Sequence, residues 1–219
     1  MNGKYFRGDG IWVWTAVESV SRYFLHSFVG ERDEVSARYF IRGIKAKIRE
    51  GHIPIFCSDG YKVYRETLLF EYGYKFTKPR KEGGGRNPVW HMVPLNGLNY
   101  GQVLKSRDGA KLISVEHRSV FGNVPKELLN TSFVERMNLT MRRSISRMAR
   151  KTDSISKNNE GLEDAVDLFR SVYNLCRPHM SLTAGNKKTT PAMKMGLTDH
   201  VWTLRELMIF PYRNNINCL

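Results

Sequence analysis

Apolar and polar positions along the first third of the chain follow the periods of short strands and one amphipathic helix. "IWVWTAVES" (11–19) and "RYFLHSFVG" (22–30) are rich in aromatic and β-branched residues around a polar Ser-Val-Ser turn, which predicts an antiparallel hairpin. The next stretch, 32–51, has the spacing of a helix that ends at Gly51. The apolar positions expected on the buried face of this helix are Val35, Tyr39, Ile41, Ile44 and Ile48.

A short apolar run, "IPIFCSDG" (53–60), ends abruptly in a polar turn. Such runs are typical of a buried central strand that is parallel to a neighbour and covered on both faces. The segment 61–73 follows it and is predicted to be a helix.

The second half of the chain begins with a change in composition. Residues 75–110 contain the basic, Gly- and Pro-rich stretch "KFTKPRKEGGGRNP", which predicts a loop or an insertion. A strand is expected at 111–122, helices at 133–151 and 162–176, and a short helix that starts near Thr203.

Hairpin, helix, strand, helix, strand and helix in this order predict a mixed α/β fold. We expect one domain over residues 1–182, which includes the insertion, and a C-terminal tail over 183–219.

The composition favours a nucleic-acid partner. The chain has 219 residues, 41% of them hydrophobic, with a formal net charge of +14 and a pI near 9.8. Such a positive charge attracts polyanions. No apolar run approaches the roughly 20 residues of a membrane-spanning helix, and no signal peptide is visible. Three scattered cysteines, Cys57, Cys176 and Cys218, fit a reducing cytosol.

The predicted helix 133–151 is strongly basic. Its apolar stripe consists of Val134, Met137, Met141, Ile145 and Met148. Its bases are Arg136, Arg142, Arg143, Arg147, Arg150 and Lys151. Glu135, the one acid of this helix, shares a face with Asn138 and Arg142. A solvated basic face would explain the bases, but it would not explain the lone carboxylate at the start of the helix.

Two carboxylates are candidates for chemistry. Asp59 directly follows the predicted strand, at the end where open α/β sheets bind ligands, although an Asx turn or a helix N-cap would also suit it. Glu135 could equally be an acid favoured by the helix macrodipole. Together with the arginines, the two acids favour metal-assisted chemistry on a phosphate backbone.

Several segments closely resemble the DDE transposases of bacterial and archaeal insertion sequences, in particular the insertion-sequence-one type and its relatives. The segments that carry the resemblance include "SDGYKVY", "NTSFVERMNLTMRRSISRMARKT", "YNLCRPHMSL" and "TPAMKMGLTDHVWTLREL". The specific part is the "ER-NLT-R" pattern of the basic helix with "YN-RPH-L" downstream of it. The resemblance covers nearly the whole chain. It implies an RNase H-like mixed sheet flanked by helices, and divalent-metal-dependent DNA cleavage followed by strand transfer.

By this resemblance, Asp59 matches the second catalytic Asp of the family and Glu135 its terminal catalytic Glu, and both would bind Mg²⁺ or Mn²⁺ in a two-metal site. Asn138 and the bases of the helix would contact DNA. Arg177 and His179 in "CRPH" are weaker candidates, because a histidine often caps a helix end. The expected partners are transposon ends, target DNA, and further copies or full-length transposase, in the cytoplasm of a prokaryote at its nucleoid, with neither a membrane nor a small-molecule substrate.

The chain departs from the family pattern at its start. The family begins with an Asp-bearing central strand, whereas only "MNGKYFRGDG" precedes Ile11 here, and its one acid, Asp9, lies between glycines. Glu18 and the helix-opening pair Asp33 and Glu34 are poor substitutes. We therefore expect an N-terminally truncated domain, from a misassigned start or from a decayed or split gene. The family's N-terminal DNA-binding segment is not found either. The alternative function is a non-catalytic, DNA-binding remnant that regulates or inhibits transposition.

Overall fold

A mixed three-stranded sheet and several short helices organise the chain in the computed structural model, which describes residues 11–77, 90–149, 158–185 and 187–210. In these ranges the strands are β1 (Trp12–Val17), β2 (Phe24–Gly30), β3 (Ile55–Asp59), β4 (Gly73–Thr77), β5 (Trp90–Pro94), β6 (Asn99–Asp108) and β7 (Lys111–Phe121). The α-helices are α1 (Glu34–Lys45), α2 (Val63–Glu71), α3 (Ser132–Ser144), α4 (Asn159–Ser171), α5 (Pro191–Lys194) and α6 (Leu204–Ile209).

The described residues fall into two units. The first comprises the described residues up to Trp14 together with Phe28–Asn138, and the second comprises Thr15–Ser27 and the described residues from Leu139 onward. The division therefore passes through the β1–β2 pair and through α3. None of the helices in the described ranges combines the length and the apolar character that crossing a bilayer requires.

The central element of the first unit is the sheet β3-β6-β7. β3 runs parallel to β6, with Ile55 opposite Asn99 and Asp59 opposite Val103, and β7 runs antiparallel to β6. The chain is thus mixed α/β, as predicted, and the predicted parallel pairing of the strand before Asp59 is confirmed.

The prediction that this strand is buried and central is wrong for the described residues. β3 lies at one end of the sheet order, and β1 and β2 pair separately in a two-stranded sheet. No residue of β3 is fully buried, and Ile55 is 48% exposed. A short apolar run does not distinguish an end strand from a central one, because both need apolar side chains on at least one face.

The predicted hairpin is present as β1 and β2, and its Trp14 contributes to an aromatic cluster in the first unit. The Trp14 ring lies 5.8 Å from Phe40 and 5.7 Å from Tyr64 between centroids, and 6.1 Å from Tyr61. Its indole N–H donates to the Glu31 carbonyl at 3.1 Å. Because buried aromatic rings supply large apolar contact areas, this cluster fixes the start of α2 next to α1.

α1 is shorter than predicted and buries a different face. Asp33 caps it by accepting a hydrogen bond from the Ser36 amide at 2.8 Å, and the helix ends at Lys45, with turns continuing to Gly51. Ile41 and Ile44 are buried as expected, together with Ser36, Ala37 and Phe40. Val35 and Tyr39 are instead exposed, because the buried stripe runs through small residues that hydrophobicity alone underrates.

The strand β6 was not predicted, because its sequence, "NYGQVLKSRD", is largely polar. Its Gly101 lies against the buried Leu129, and a Cβ at this position would overlap the Leu129 side chain. Leu129 packs with Val103 and Val124 in a small apolar cluster. The missing side chain therefore allows the segment that leads into α3 to approach the sheet closely.

In the second unit, the side chain of Asn174 clamps the backbone of Phe24. Its amide oxygen accepts from the Phe24 N–H at 2.8 Å, and its NH₂ group donates to the Phe24 carbonyl at 3.0 Å. Asn174 lies in a π-helical turn, Val172–Cys176, that continues α4 beyond Ser171. Phe169 and Tyr173 pack on the Phe24 ring at 6.3 Å and 6.5 Å between centroids.

α3 ends earlier than the predicted helix 133–151. It stops at Ser144, Ile145 is extended, and Ser146–Met148 forms a 3₁₀ turn. Serine and β-branched residues weaken a helix, because serine competes for backbone hydrogen bonds and isoleucine loses rotamer freedom. Ile145 and Met148 are buried all the same, so the predicted apolar stripe persists after the helix ends.

Replacing Asn174 with Ala is expected to destabilise the second unit by about 2–4 kcal/mol, because it leaves the Phe24 N–H and carbonyl buried without their partner. Urea unfolding, followed by circular dichroism, measures the loss. Asn123→Ala, at an exposed position, is the matched control and should change stability little. Equal unfolding midpoints for the two variants would contradict the role assigned to the clamp.

Candidate active site

Asp59 is the last residue of β3, at the carboxyl end of the strand. Its Oδ1 accepts a hydrogen bond from the Tyr61 N–H at 3.2 Å, which is the Asx turn that the sequence left open. The N-cap alternative is wrong, because α2 begins after Lys62, which makes no side-chain capping bond. One carboxylate oxygen thus shapes the turn, and the register of β3 on β6 places the group beside Val103.

Glu135 lies in the first turn of α3, and two side chains bind the same oxygen of its carboxylate. Oε1 accepts a hydrogen bond from Thr131 Oγ1 at 2.8 Å and forms an ion pair with Lys105 Nζ. Burial raises the pKa of Glu135, but the hydrogen bonds from Lys105 and Thr131 outweigh it and hold the pKa below its ordinary value. The side chain is therefore a carboxylate at neutral pH.

The two carboxylates line one cleft of about 830 Å³ in the first unit. Residues of β3, α2, β6, β7 and α3 or their adjoining turns form its walls. The charged groups around it are Arg32, Asp59, Lys62, Lys105, Glu116 and Glu135. Its volume falls in the range of pockets that bind small molecules or nucleotide-sized groups.

Arg32 is held in the wall of this cleft by two aromatic rings. Its guanidinium carbon lies 4.3 Å from the Trp12 ring centroid and 4.4 Å from that of Tyr61. The Tyr61 hydroxyl also donates to the Arg32 backbone carbonyl at 2.8 Å. A guanidinium between two ring faces loses few rotamers on binding an anion, so Arg32 is a preorganised cation near Asp59.

A buried polar network lies next to Asp59 in the sheet. The Tyr100 hydroxyl is 2.7 Å from Ser58 Oγ and accepts from the Gln102 side chain at 2.9 Å. Burial raises the pKa of Tyr100 to about 12, so it remains a neutral phenol. Burial also raises the pKa of Tyr64, and the Asp59 carboxylate raises it further. Both phenols are therefore neutral neighbours of Asp59 at neutral pH.

The structure assigns the other predicted DNA-contacting residues to different places. Arg136 is exposed and Asn138 is half-buried on the part of α3 that belongs to the first unit. Arg142 and Arg143 belong to the second unit, as does Arg147, which donates to the Gly161 carbonyl at 2.8 Å. Arg150 and Lys151 lie outside the described residues.

Arg177 and His179 follow the π-helical turn in the second unit. The His179 ring accepts a hydrogen bond from the Ser181 N–H at 3.3 Å and caps the 3₁₀ turn Met180–Leu182. Its Nδ1 is also 2.9 Å from Ser181 Oγ. These contacts are those of the capping histidine that the sequence offered as the alternative to a catalytic one. Arg177 is exposed at the end of the π-helical turn.

The donor chemistry of the cleft partly fits a divalent metal. Asp59 and Glu135 offer the hard oxygen ligands that Mg²⁺ and Mn²⁺ prefer. Among the described residues, however, no group of three or more His, Cys, Asp or Glu side chains is arranged to hold a metal ion. Asp59 and Glu135 would therefore need further ligands to hold an ion, and a two-metal site would need more of them.

Four charged cleft residues, Arg32, Lys62, Lys105 and Glu116, were not found from the sequence. Lys105 and Glu116 lie on β6 and β7, whose cleft-facing positions become known only from the strand register. Arg32 precedes α1, and its position depends on the rings of Trp12 and Tyr61. The one sequence signal for Arg32 was a basic residue between an apolar strand and a helix cap. Basic residues in such positions are common in chains with this much positive charge.

Comparison with models of protein families, with curated proteins and with solved structures finds no match to this chain.

Thr131→Val is expected to raise the pKa of Glu135 toward its ordinary value, because it removes a hydroxyl that donates to the carboxylate and keeps the side-chain shape. Carbon-detected NMR of the Glu135 carboxyl during a pH titration measures the change. Thr77→Val, the same substitution at an exposed position of β4, should leave the titration of Glu135 unaltered. An unchanged pKa in Thr131→Val would show that this hydroxyl does not stabilise the anion.

Proposed function

We propose that this chain is the catalytic domain of a DDE transposase with an RNase H-like fold, which cleaves DNA and transfers strands in the movement of an insertion sequence. The observation that carries the proposal is the meeting of Asp59 and Glu135 in one cleft. The two residues lie 76 positions apart in the chain, Asp59 at the end of β3 and Glu135 in α3. The sequence resemblance pairs the same two residues as catalytic acids.

The cleft supports this proposal by its mixture of charges. A divalent metal, when bound, would activate water or a 3′-hydroxyl and stabilise the oxygen that leaves phosphorus. Asp59 and Glu135 would hold the ion, each from a rigid element. Arg32 and Lys62 lie in the same cleft, where they would bind the phosphate and neutralise part of its charge. Transposon ends, target DNA and further transposase copies would be the partners, at the nucleoid of a prokaryote.

The basic residues of α3 support contact with a longer stretch of DNA. Arg136 in the first unit and Arg143 in the second are both exposed residues of α3. Cations spaced along a helix bind phosphates without reading sequence, and they position a duplex rather than select it.

A second candidate function is a non-catalytic DNA-binding protein that occupies transposon ends or inhibits full-length transposase. The arrangement of the carboxylates favours it, since no group of three acids among the described residues is placed to hold a metal ion, whereas the family pattern has three catalytic acids. The same basic surface serves both functions, so DNA binding alone does not separate them.

Cleavage of a labelled duplex taken from the DNA that flanks the gene separates the two candidates. With Mn²⁺ we expect weak, metal-dependent cleavage that Asp59→Asn and Glu135→Gln each reduce about a hundredfold or more, since each removes a ligand. Asp108→Asn is the control. It removes an exposed acid at the end of β6, five residues beyond Val103, which pairs with Asp59. This variant should cleave DNA as the parent chain does.

Two outcomes would count against catalysis. Cleavage that persists without metal or in both acid variants would contradict the assignment of Asp59 and Glu135. No cleavage, with DNA binding retained, would support the non-catalytic function.

DNA affinity should fall steeply as salt rises, because the net charge of +14 binds phosphates by releasing counterions. Replacing both Arg136 and Arg143 with Gln should lower the slope of log affinity against log salt by about one unit per lost phosphate contact. Fluorescence anisotropy with a labelled duplex measures both slopes. Gln at both Lys187 and Lys188 removes the same charge outside α3, and an equal slope change there would refute a specific role for the helix.

A further inference from the structure

An ammonium group already sits on the carboxylate that the proposed metal would use. Lys105 Nζ forms an ion pair with Glu135 Oε1, and Thr131 Oγ1 donates to the same oxygen at 2.8 Å. A carboxylate oxygen has two lone pairs, so these two donors fill the acceptor positions of Oε1. A cation that binds through this oxygen must therefore displace one of them.

We propose that Lys105 is an internal counter-ion that competes with the divalent metal for Glu135, so that this lysine sets how readily the site takes up metal. The inference rests on the proposed function, because it assumes that Glu135 is a metal ligand. Lys105 lies on β6 and Glu135 on α3, so the pair joins the two walls of the cleft in the metal-free protein.

Lys105 offsets the repulsion between the negative charges of the cleft. Asp59, Glu116 and Glu135 line the same cleft, and like charges that share a site disfavour each other. The Lys105 ammonium neutralises one of them and keeps it ionised. Since the Lys105 and Glu135 side chains are 27% and 49% exposed, the pair is accessible to solvent and can open.

Of the two pairing groups, the lysine is the one able to leave. Its ammonium ends a flexible four-carbon stem, so it can turn toward solvent without moving β6. Thr131 is buried, and its carbonyl accepts the Glu135 N–H at 3.0 Å. Its hydroxyl is therefore held in place by the first turn of α3. A metal that binds Glu135 through Oε1 would therefore exchange with Lys105 and leave Thr131 in place, and one that binds through Oε2 would still compete with the lysine for the charge of the carboxylate.

Lys62 provides the matched control. It lines the same cleft and carries the same charge, but its described contacts do not include Glu135. Lys62→Gln therefore removes one positive charge from the cleft without removing a competitor from the carboxylate. Lys105→Met, which keeps most of the aliphatic stem, serves beside Lys105→Gln in case one of the two variants folds poorly.

The experiment is Mn²⁺ binding to the full chain, followed by the electron paramagnetic resonance signal of free Mn²⁺, without DNA. Both Lys105 variants should bind Mn²⁺ about two- to fivefold more tightly than the parent chain, the range expected for loss of an accessible ion pair. Lys62→Gln should change the affinity less. In a Glu135→Gln background, the Lys105 substitution should no longer tighten binding, because the shared carboxylate is gone.

The outcomes separate the inference from the proposed function. If the parent chain binds Mn²⁺ through Glu135, and removing Lys105 tightens binding no more than removing Lys62, the competition is overturned and the metal site stands. If no variant binds Mn²⁺, both are overturned. A structural ion pair alone would lower the urea unfolding midpoint of the Lys105 variants and leave Mn²⁺ affinity at the level of the Lys62 control.

Discussion

The parallel pairing of β3 with β6 is the constraint on which the cleft depends. It sets Asp59 opposite Val103, two residues before Lys105, so the acid at the end of one strand and the base on its neighbour are fixed by backbone hydrogen bonds. A slip of one residue in the β3–β6 ladder would send the Asp59 side chain to the other face of the sheet. The chemistry of the site is thus determined first by strand register and only then by side-chain packing.

The cleft balances its charges, although the chain as a whole is strongly basic. Three acids and three bases face it, and each carboxylate whose contacts are described is engaged: Asp59 with the turn before α2, Glu135 with Lys105 and Thr131. Neutral phenols at Tyr64 and Tyr100 surround Asp59 without adding charge. Under the proposed function, the bases of such a site would bind a phosphate and its acids a cation.

Sequence periodicity predicted the elements that local interactions determine. The helix that starts near Thr203 is one of them, since its capping box, Thr203 and Glu206, lies within four consecutive residues. Periodicity failed for the elements whose structure depends on residues that are distant in the chain. β6 is polar and becomes a strand because β3 and β7 pair with it, and Val35 is exposed because the helix buries alanine and serine instead. Asp59 and Glu135 were candidates from their positions after a strand and at the start of a helix, with an Asx turn, an N-cap and the helix macrodipole left open as alternatives. Lys105 and Arg32 were not, because their roles depend on residues far away in the chain.

Gly101 determines how closely the segment before α3 can approach the sheet. It carries no side chain where Leu129 packs on β6, and Leu129 stands two residues before Thr131. A methyl group there would lie 2.4 Å from the end of the Leu129 side chain and 3.2 Å from the Arg118 carbonyl oxygen. The leucine side chain would have to turn aside, which would disturb its packing with Val103 and Val124. One hydrogen atom in place of a methyl group therefore leaves the space that this leucine fills.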